Sequence, residues 1–568
     1  MNRNKRKSAE FAGSMVLAAV LFFIIYQWIP VVYSTNDDRM IAEIVSGQFT
    51  GTPESYGIQM TYGFTWVLSK LYEITRSLNW YGISLIGSQI FAFGAILYRV
   101  QSFSEQWKEK AGLILAAIGI FLTFWLKVYV QMTYTTTAAF VGMAAIFWYA
   151  ASKSEWKNIL MTGILANLAF SIRSNIFYML LPATGLIYLW KLISKKEWER
   201  KTIGAPFAIL AVTLCLFCIN AVAYSQGDWK SFRQFFDART KVYDYYQLAD
   251  YESYPELYEP YGVSKEEYQM LKVYDYTVLG DLPKEFFPEY IKAYQNMEKE
   301  QGITFVSKTK NAIRLFWSDL CSNAYGIQNT GLFIIAVIGF LYLIWKKDYP
   351  LAAFLGIQSA MICVLWLYFT YWGRAIERIQ MTMSLIFLAV ILHIWYERAY
   401  VCTNTHTETR SMWKSVLKIG GLVGIFVLAG MQVSSCRYDN IEKSYRYTDA
   451  ETIKAYCAED SDRLYFMDIA TMTELYGRFT VKNTEPEYIN YISLGDWTAY
   501  CPHYEKKLQN HGVTNVAEAV TAENTYVVML YNFQLQCMKD YLNAEEVWTE
   551  TIFGAGEVPY AVYQFTEK

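Results

Sequence analysis

Apolar blocks of about 18–23 residues recur along the chain, each the length that carries an α-helix across ~30 Å of hydrocarbon. They lie at residues 11–33, 80–99, 111–130, 134–151, 157–172, 175–193, 203–224, 327–345, 350–370, 379–396 and 414–432. The hydropathy criterion therefore gives a polytopic α-helical membrane protein with about eleven transmembrane helices. The block at 157–172 is the most polar of these, because it contains Asn167.

Charge supplies the orientation. The first block follows MNRNKRK and is too long for the apolar region of a signal peptide, so it reads as a retained anchor with a cytoplasmic N-terminus. RVQSFSEQWKEK, KLISKKEWERK, WKKD and YERAYVCTNTHTETRSMWK then fall on the cytoplasmic side. The opposite side is more acidic: residues 225–325 carry sixteen Asp or Glu against twelve Lys or Arg. A net charge of −2 hides this asymmetry, and nothing in the sequence points to nucleic acid.

The expected organisation is a transmembrane domain over 1–432, interrupted by external loops at 34–79 and 225–325, followed by an extracytoplasmic domain over 433–568. In the first loop, RMIAEIVSGQ has helical apolar spacing and ends near Gly47. TYGFTWVLSKLYEITRSLNW is amphipathic and reads as a juxtamembrane helix in the interface plane. The second loop holds twelve tyrosines between Tyr243 and Tyr294. It also has helical stretches at SKEEYQMLKVYDY and PKEFFPEYIKAYQNMEKEQ. After residue 433, the β-rich runs RLYFMDI, TYVVMLYNF and PYAVYQF alternate with helix-like YEKKLQNHG and LQCMKDYLN, the pattern of a small α/β domain. No internal repeat is visible.

Asp37 and Asp38 stand at the entry to the first external loop. One reading is a helix cap, with Asn36 or Asp37 at the N-terminus and the acids facing the positive end of the helix dipole. The other is chemical. Asn36-Asp37-Asp38-Arg39-Met40 with the continuation SGQFTGTPES, set after the first span of a multi-span chain with large external loops, resembles the C-type glycosyltransferase (GT-C) superfamily. In layout it is similar to the protein mannosyltransferase and aminoarabinose transferase families. The likeness is strongest over residues 11–224.

That resemblance implies a GT-C-like core in a bacterial plasma membrane. It also implies a sugar donor linked to polyprenyl phosphate, and an acceptor on a cell-envelope glycan, lipid or protein outside the cytoplasm. Asp37 is then the base and Asp38 orients the acceptor or Asp37. Such a transfer needs a base for the acceptor hydroxyl and groups that hold the leaving phosphate. One carboxylate suffices for inverting transfer, unlike the carboxylate pair of hydrolases. Glu54 in TGTPES is a supporting acid or a solvated loop residue.

Basic residues near external boundaries are the phosphate-binding candidates. Arg173, in NLAFSIRSNIFYMLLP, sits between two apolar runs, where a charge is costly unless it faces a cavity or snorkels to headgroups. Arg374 and Arg378 in YWGRAIERIQ form a second candidate set, with Glu377 as an expected partner for one of them. Lys127 is a weaker candidate. Arginine alone can hold a lipid monophosphate, so no cofactor is required and a divalent cation is optional.

The cysteines show no metal-ligand spacing, and His503 and His511 near Cys501 lack the tight pairing of a metal site. Cys436, Cys457, Cys501 and Cys537 allow two disulfides in three connectivities. Two other functions share this architecture: a lipid-linked polysaccharide polymerase or ligase, and a transporter or flippase of lipid-linked glycans. The second of these calls for ionisable residues near mid-span, whereas the charges here lie at external ends.

Overall fold

The computed structural model describes residues 3–321, 327–404, 412–475, 477–483, 486–554 and 558–567. The basic loop YERAYVCTNTHTETRSMWK lies partly outside these residues. Eight described helices are long and apolar enough to cross a membrane: Lys5–Trp28, Trp80–Gln101, Trp107–Val130, Ser174–Ile193, Arg200–Tyr224, Tyr349–Tyr371, Glu377–Arg398 and Gly420–Lys443. The protein is a multi-pass membrane protein.

Of the eleven expected spans, eight meet that length and apolarity among the described residues. The blocks at 134–151 and 157–172 do fold as helices, Tyr134–Ala150 and Trp156–Ile172, but each has 17 residues. At 1.5 Å per residue that is ~26 Å, the lower end of the range that crosses a bilayer. The block at 327–345 folds as the helix Ile327–Trp345, 19 residues long.

Chain contacts divide the protein into two compact units. The membrane unit comprises Met1–Val31, Gly82–Phe217 and Thr309–Ile441. Its centre is Tyr134–Ala150, in which every residue is buried. A helix apolar on all sides belongs inside a bundle. Its small residues let neighbours close in: a Cβ on Gly142 would collide with the Leu180 side chain. Phe22, Phe93, Phe121 and Tyr129 interlock beside it, with ring centroids 4.4 Å apart for Phe22–Tyr129 and 4.5 Å for Phe93–Phe121. Buried backbone ends are satisfied by side chains. The Asn440 amide donates to the carbonyls of Pro30 and Val130, both at 2.7 Å, and accepts from Gln131 at 2.9 Å.

The second unit gathers Val32–Tyr81, Cys218–Lys308 and Glu442–Lys568. It contains a five-stranded mixed sheet: β1 (Leu464–Met467), β2 (Tyr491–Ser493), β3 (Thr525–Met529), β4 (Ala544–Phe553) and β5 (Pro559–Glu567), in the order β2-β1-β3-β5-β4. β1 runs parallel to β2 and β3, with Tyr465 opposite Tyr491 and Phe466 opposite Val527. β5 is antiparallel to β3 and β4. The near-continuous apolar sequences of β1 and β3 suit strands covered on both faces. β4 is one of the two edge strands and carries Glu545, Glu546 and Glu550, charges that discourage further pairing.

The tyrosine-rich segment folds into the same unit. Ser264 and Glu267 form a capping box that starts Lys265–Lys272. The Tyr243 and Tyr274 rings stack at 4.1 Å, and Tyr258, Tyr276 and Tyr290 are wholly buried. The disulfides allowed by spacing do not form. Cys436, Cys457, Cys501 and Cys537 are buried free thiols.

Candidate active site

The acidic motif folds into the helix Asn36–Ser46 of the second unit. Met40, Ile41, Ile44 and Val45 are buried, giving the helix one apolar face. It stops at Gly47, whose φ of 90° closes a left-handed cap by donating to the Ile44 carbonyl. A Cβ at Gly47 would also lie 2.5 Å from the Pro53 nitrogen. Gly47→Ala is therefore expected to cost about 1–3 kcal/mol, read as a lowered unfolding midpoint.

The N-cap is Thr35, not Asn36 or Asp37, because the chain is still extended there (φ −139°, ψ 152°) and turns helical at Asn36. Both aspartates occupy the first turn, where the helix dipole favours them. Their surroundings differ. Asp37 is half-buried. Asp38 is fully buried and accepts from the Tyr81 hydroxyl at 2.6 Å and the Thr35 hydroxyl at 2.9 Å. Tyr81 is itself held, its backbone N–H donating to the Tyr72 hydroxyl oxygen at 3.1 Å.

One turn further along the helix lies a charged cluster that sequence reasoning missed. Arg39 reaches Glu43 at 2.6 Å, the Tyr491 hydroxyl at 3.0 Å and the Leu475 carbonyl at 2.7 Å. Tyr491 donates to Glu43 at 2.8 Å, and Lys454 stands 3.6 Å from the same oxygen. Burial opposes ionisation of Glu43, yet the Arg39 and Lys454 charges and the Tyr491 hydroxyl hold its carboxyl below the usual range. The i,i+4 spacing of Arg39 and Glu43 was the available signal. Their partners on Leu475 and Tyr491 lie 436 and 448 residues away.

The loop after Gly47 is gripped by one face of the helix Pro502–Asn510. Residues at i, i+3, i+4 and i+7 do this. His503 donates to the Tyr56 carbonyl at 3.1 Å, and Lys506 contacts Thr52 at 2.8 Å. Lys507 donates to the Phe49 carbonyl at 3.1 Å, and Asn510 to the Thr50 carbonyl at 3.3 Å. Glu54 is part of this grip, bonded to Lys506 at 2.7 Å and Thr50 at 2.8 Å. Its burial works against charge, but His503, Lys506 and Thr50 lower its pKa nonetheless. Glu54 is thus a partly buried anchor of its loop.

Lys507 is fully buried against the Phe49 and Tyr488 rings. Burial pushes its ammonium down to about 7, against the opposing pull of Glu43 and Cys457. The unfolded chain keeps this proton up to the ordinary 10.5, so unfolding takes up a proton between those values and stability rises with pH. The unfolding midpoint should climb from pH 7 to about 8.5, and Lys507→Met should flatten that climb.

In the membrane unit, Arg173 is the single-residue junction between Trp156–Ile172 and Ser174–Ile193. It is half-buried, with its guanidinium 5.0 Å from the Tyr134 ring centre. Arg374 lies in the turn after Tyr349–Tyr371, its N–H bonded to the Phe369 carbonyl at 2.7 Å, and Arg378 opens Glu377–Asn404. Both are half-buried. Glu377 pairs with Lys127 rather than with either arginine. Among the described residues, no three His, Cys, Asp or Glu side chains gather as metal ligands would.

Comparison with solved structures returns ArnT from Cupriavidus metallidurans bound to undecaprenyl phosphate, at 11% identity and TM-score 0.39, with 97% of each chain covered. The apo state of the same protein gives TM-score 0.40 at 11% identity, again over 97% of each chain. The archaeal oligosaccharyltransferase AglB from Archaeoglobus fulgidus, in complex with an inhibitory peptide and a dolichol-phosphate, gives TM-score 0.40 at 8% identity, over 98% of this chain and 74% of that one. No protein-family model and no curated protein matches the sequence.

Proposed function

We propose that this protein is an integral-membrane glycosyltransferase. It moves a sugar from a polyprenyl-phosphate-linked donor to a hydroxyl on a cell-envelope glycan, lipid or protein, outside the cytoplasm. One observation carries the reading. The motif that resembles the GT-C acid motif opens a helix on which one carboxylate is partly accessible and its neighbour is buried under two hydroxyls. A base must reach its substrate, and a positioning group must be held still.

In this reading Asp37 takes the acceptor's hydroxyl proton as that oxygen bonds to the anomeric carbon. The bond from that carbon to the phosphate oxygen breaks, and polyprenyl phosphate leaves with the electron pair. Attack opposite the leaving phosphate inverts the anomeric centre. Asp38 fixes the first turn from which Asp37 projects. Arg173, Arg374 and Arg378 are proposed to bind donor phosphate, each being a guanidinium at a helix junction of the membrane unit, and arginine pairs with phosphate through parallel N–H donors. Glu54 acts by holding the loop that follows the acid helix.

The test is sugar consumption. Purified protein in lipid nanodiscs, given a radiolabelled polyprenyl-phosphoryl sugar and an envelope extract, should move label into the acceptor fraction. Label that stays on the lipid with every acceptor, but crosses the bilayer in proteoliposomes, would replace this reading with a flippase.

A further inference from the structure

The membrane unit contains a cavity of about 220 Å³. Its walls include Trp125, Lys127, Asn329, Glu377, Gln432 and Asp439, with apolar side chains filling the gaps. The volume is many times the roughly 10–15 Å³ that one water needs on this measure. Polar groups are costly in a membrane bundle unless something meets them.

One of them is buried and unmet, and a second is half-buried with no protein partner among the described residues. Trp125 is 1% exposed, and its indole N–H has no partner. Among the described residues, no group bonds to the Asp439 carboxylate. The backbone beside the cavity is also irregular: Phe121–Trp125 is a π-helical turn inserted between Trp107–Ile120 and Leu126–Val130. Such turns recur at functional sites.

The charges choose the ligand. Lys127 is the cation of the lining, and Glu377 already neutralises it. Asp439 then leaves the lining with one cation against two carboxylates, a field that repels phosphate. Amides and a carboxylate set around an indole suit a neutral ring rich in hydroxyls, which donates to the acid and exchanges hydrogen bonds with the amides.

We propose that this cavity binds the sugar ring of a membrane-borne lipid-linked glycoside, with Asp439, Gln432 and Asn329 hydrogen-bonding its hydroxyls. The proposal rests on the glycosyltransferase reading for the identity of the glycoside as donor, and it assigns sugar selectivity to these side chains. Lys127 contributes by pinning Glu377 and does not hold the donor phosphate.

The experiment uses the full chain in nanodiscs with three probes: farnesyl phosphate, a panel of farnesyl-phosphoryl hexoses and pentoses, and magnesium ion alone. Wild type should bind at least one glycosylated probe tenfold or more tightly than farnesyl phosphate. Asp439→Asn should erase about tenfold of that preference, a loss typical of one hydrogen bond to a charged group, while leaving farnesyl phosphate binding unchanged. In turnover, the donor KM should rise with kcat little altered. Gln432→Leu, which adds no charge, should weaken the same probe and keeps the test alive if Asp439→Asn unfolds. Equal affinity for glycosylated and bare probes, equal loss of both on Asp439→Asn, or tight magnesium binding that the variant abolishes would each overturn the proposal. Sugar-dependent binding without transfer by wild type would keep the cavity assignment and sink the enzymatic reading.

Discussion

Asp37→Asn protein, reconstituted in lipid, is expected to transfer sugar roughly 10²–10⁴-fold more slowly than wild type, the range for loss of a general base. Its unfolding temperature should stay where it was, because Asp37 is half-buried in a first turn and an amide fits the same space. Asp38→Asn should behave differently. Its carboxylate is buried and accepts from Tyr81 and Thr35, so the amide loses charge-assisted bonds of about 1.5–3 kcal/mol in all. That variant should unfold earlier and also turn over slowly. Transfer assays and melting curves run on both proteins separate the roles. Wild-type turnover by a folded Asp37→Asn protein would remove Asp37 from the chemistry.

The largest stability effect is expected at Glu43. Glu43→Ala removes the buried carboxylate that both Arg39 and Lys454 face. Breaking a buried pair from one side costs about 3–5 kcal/mol. Glu43→Gln should recover little of this, since it restores shape and hydrogen bonding but not charge. The linkage is testable without mutation. The folded protein holds the Glu43 carboxyl below its ordinary 4.5, so its contribution is complete above that pH and is lost as pH falls through the depressed value. Wild type should therefore lose stability in acid more steeply than Glu43→Gln. Equal acid slopes for the two proteins would contradict the assignment of charge to Glu43.

What was legible in the sequence is what depends on neighbours in the chain. Apolar length placed the membrane helices, including Tyr134–Ala150, whose 17 buried residues match a bundle centre as well as a span. The runs RLYFMDI, TYVVMLYNF and PYAVYQF coincide with β1, β3 and β5, while β4, AEEVWTETIF, an edge strand exposed along most of its length, gave no such signal. At the acidic motif, local spacing gave the helix and its Gly47 terminus. It could not give Tyr81 over Asp38, Tyr491 on Glu43 or Lys127 on Glu377, because those partners are 43, 448 and 250 residues distant. The thiols illustrate the reverse case: spacing allowed two disulfides, whereas all four cysteines are buried free thiols.

The grip of Pro502–Asn510 on the loop after Gly47 also sets an order of events during synthesis. Lys507 and Asn510 meet carbonyls 458 and 460 residues earlier in the chain. At about 5–20 residues per second, a ribosome needs roughly 20–90 s to make that stretch. Through that interval the acidic helix has left the ribosome while its Leu475, Tyr491 and Lys507 partners do not yet exist. The apolar helices can enter the bilayer in turn, but Glu43 and Glu54 meet their partners on Tyr491 and Lys506 only when the chain is nearly finished. A prematurely terminated chain would thus deliver a membrane-inserted product whose Arg39–Glu43 cluster has never been assembled.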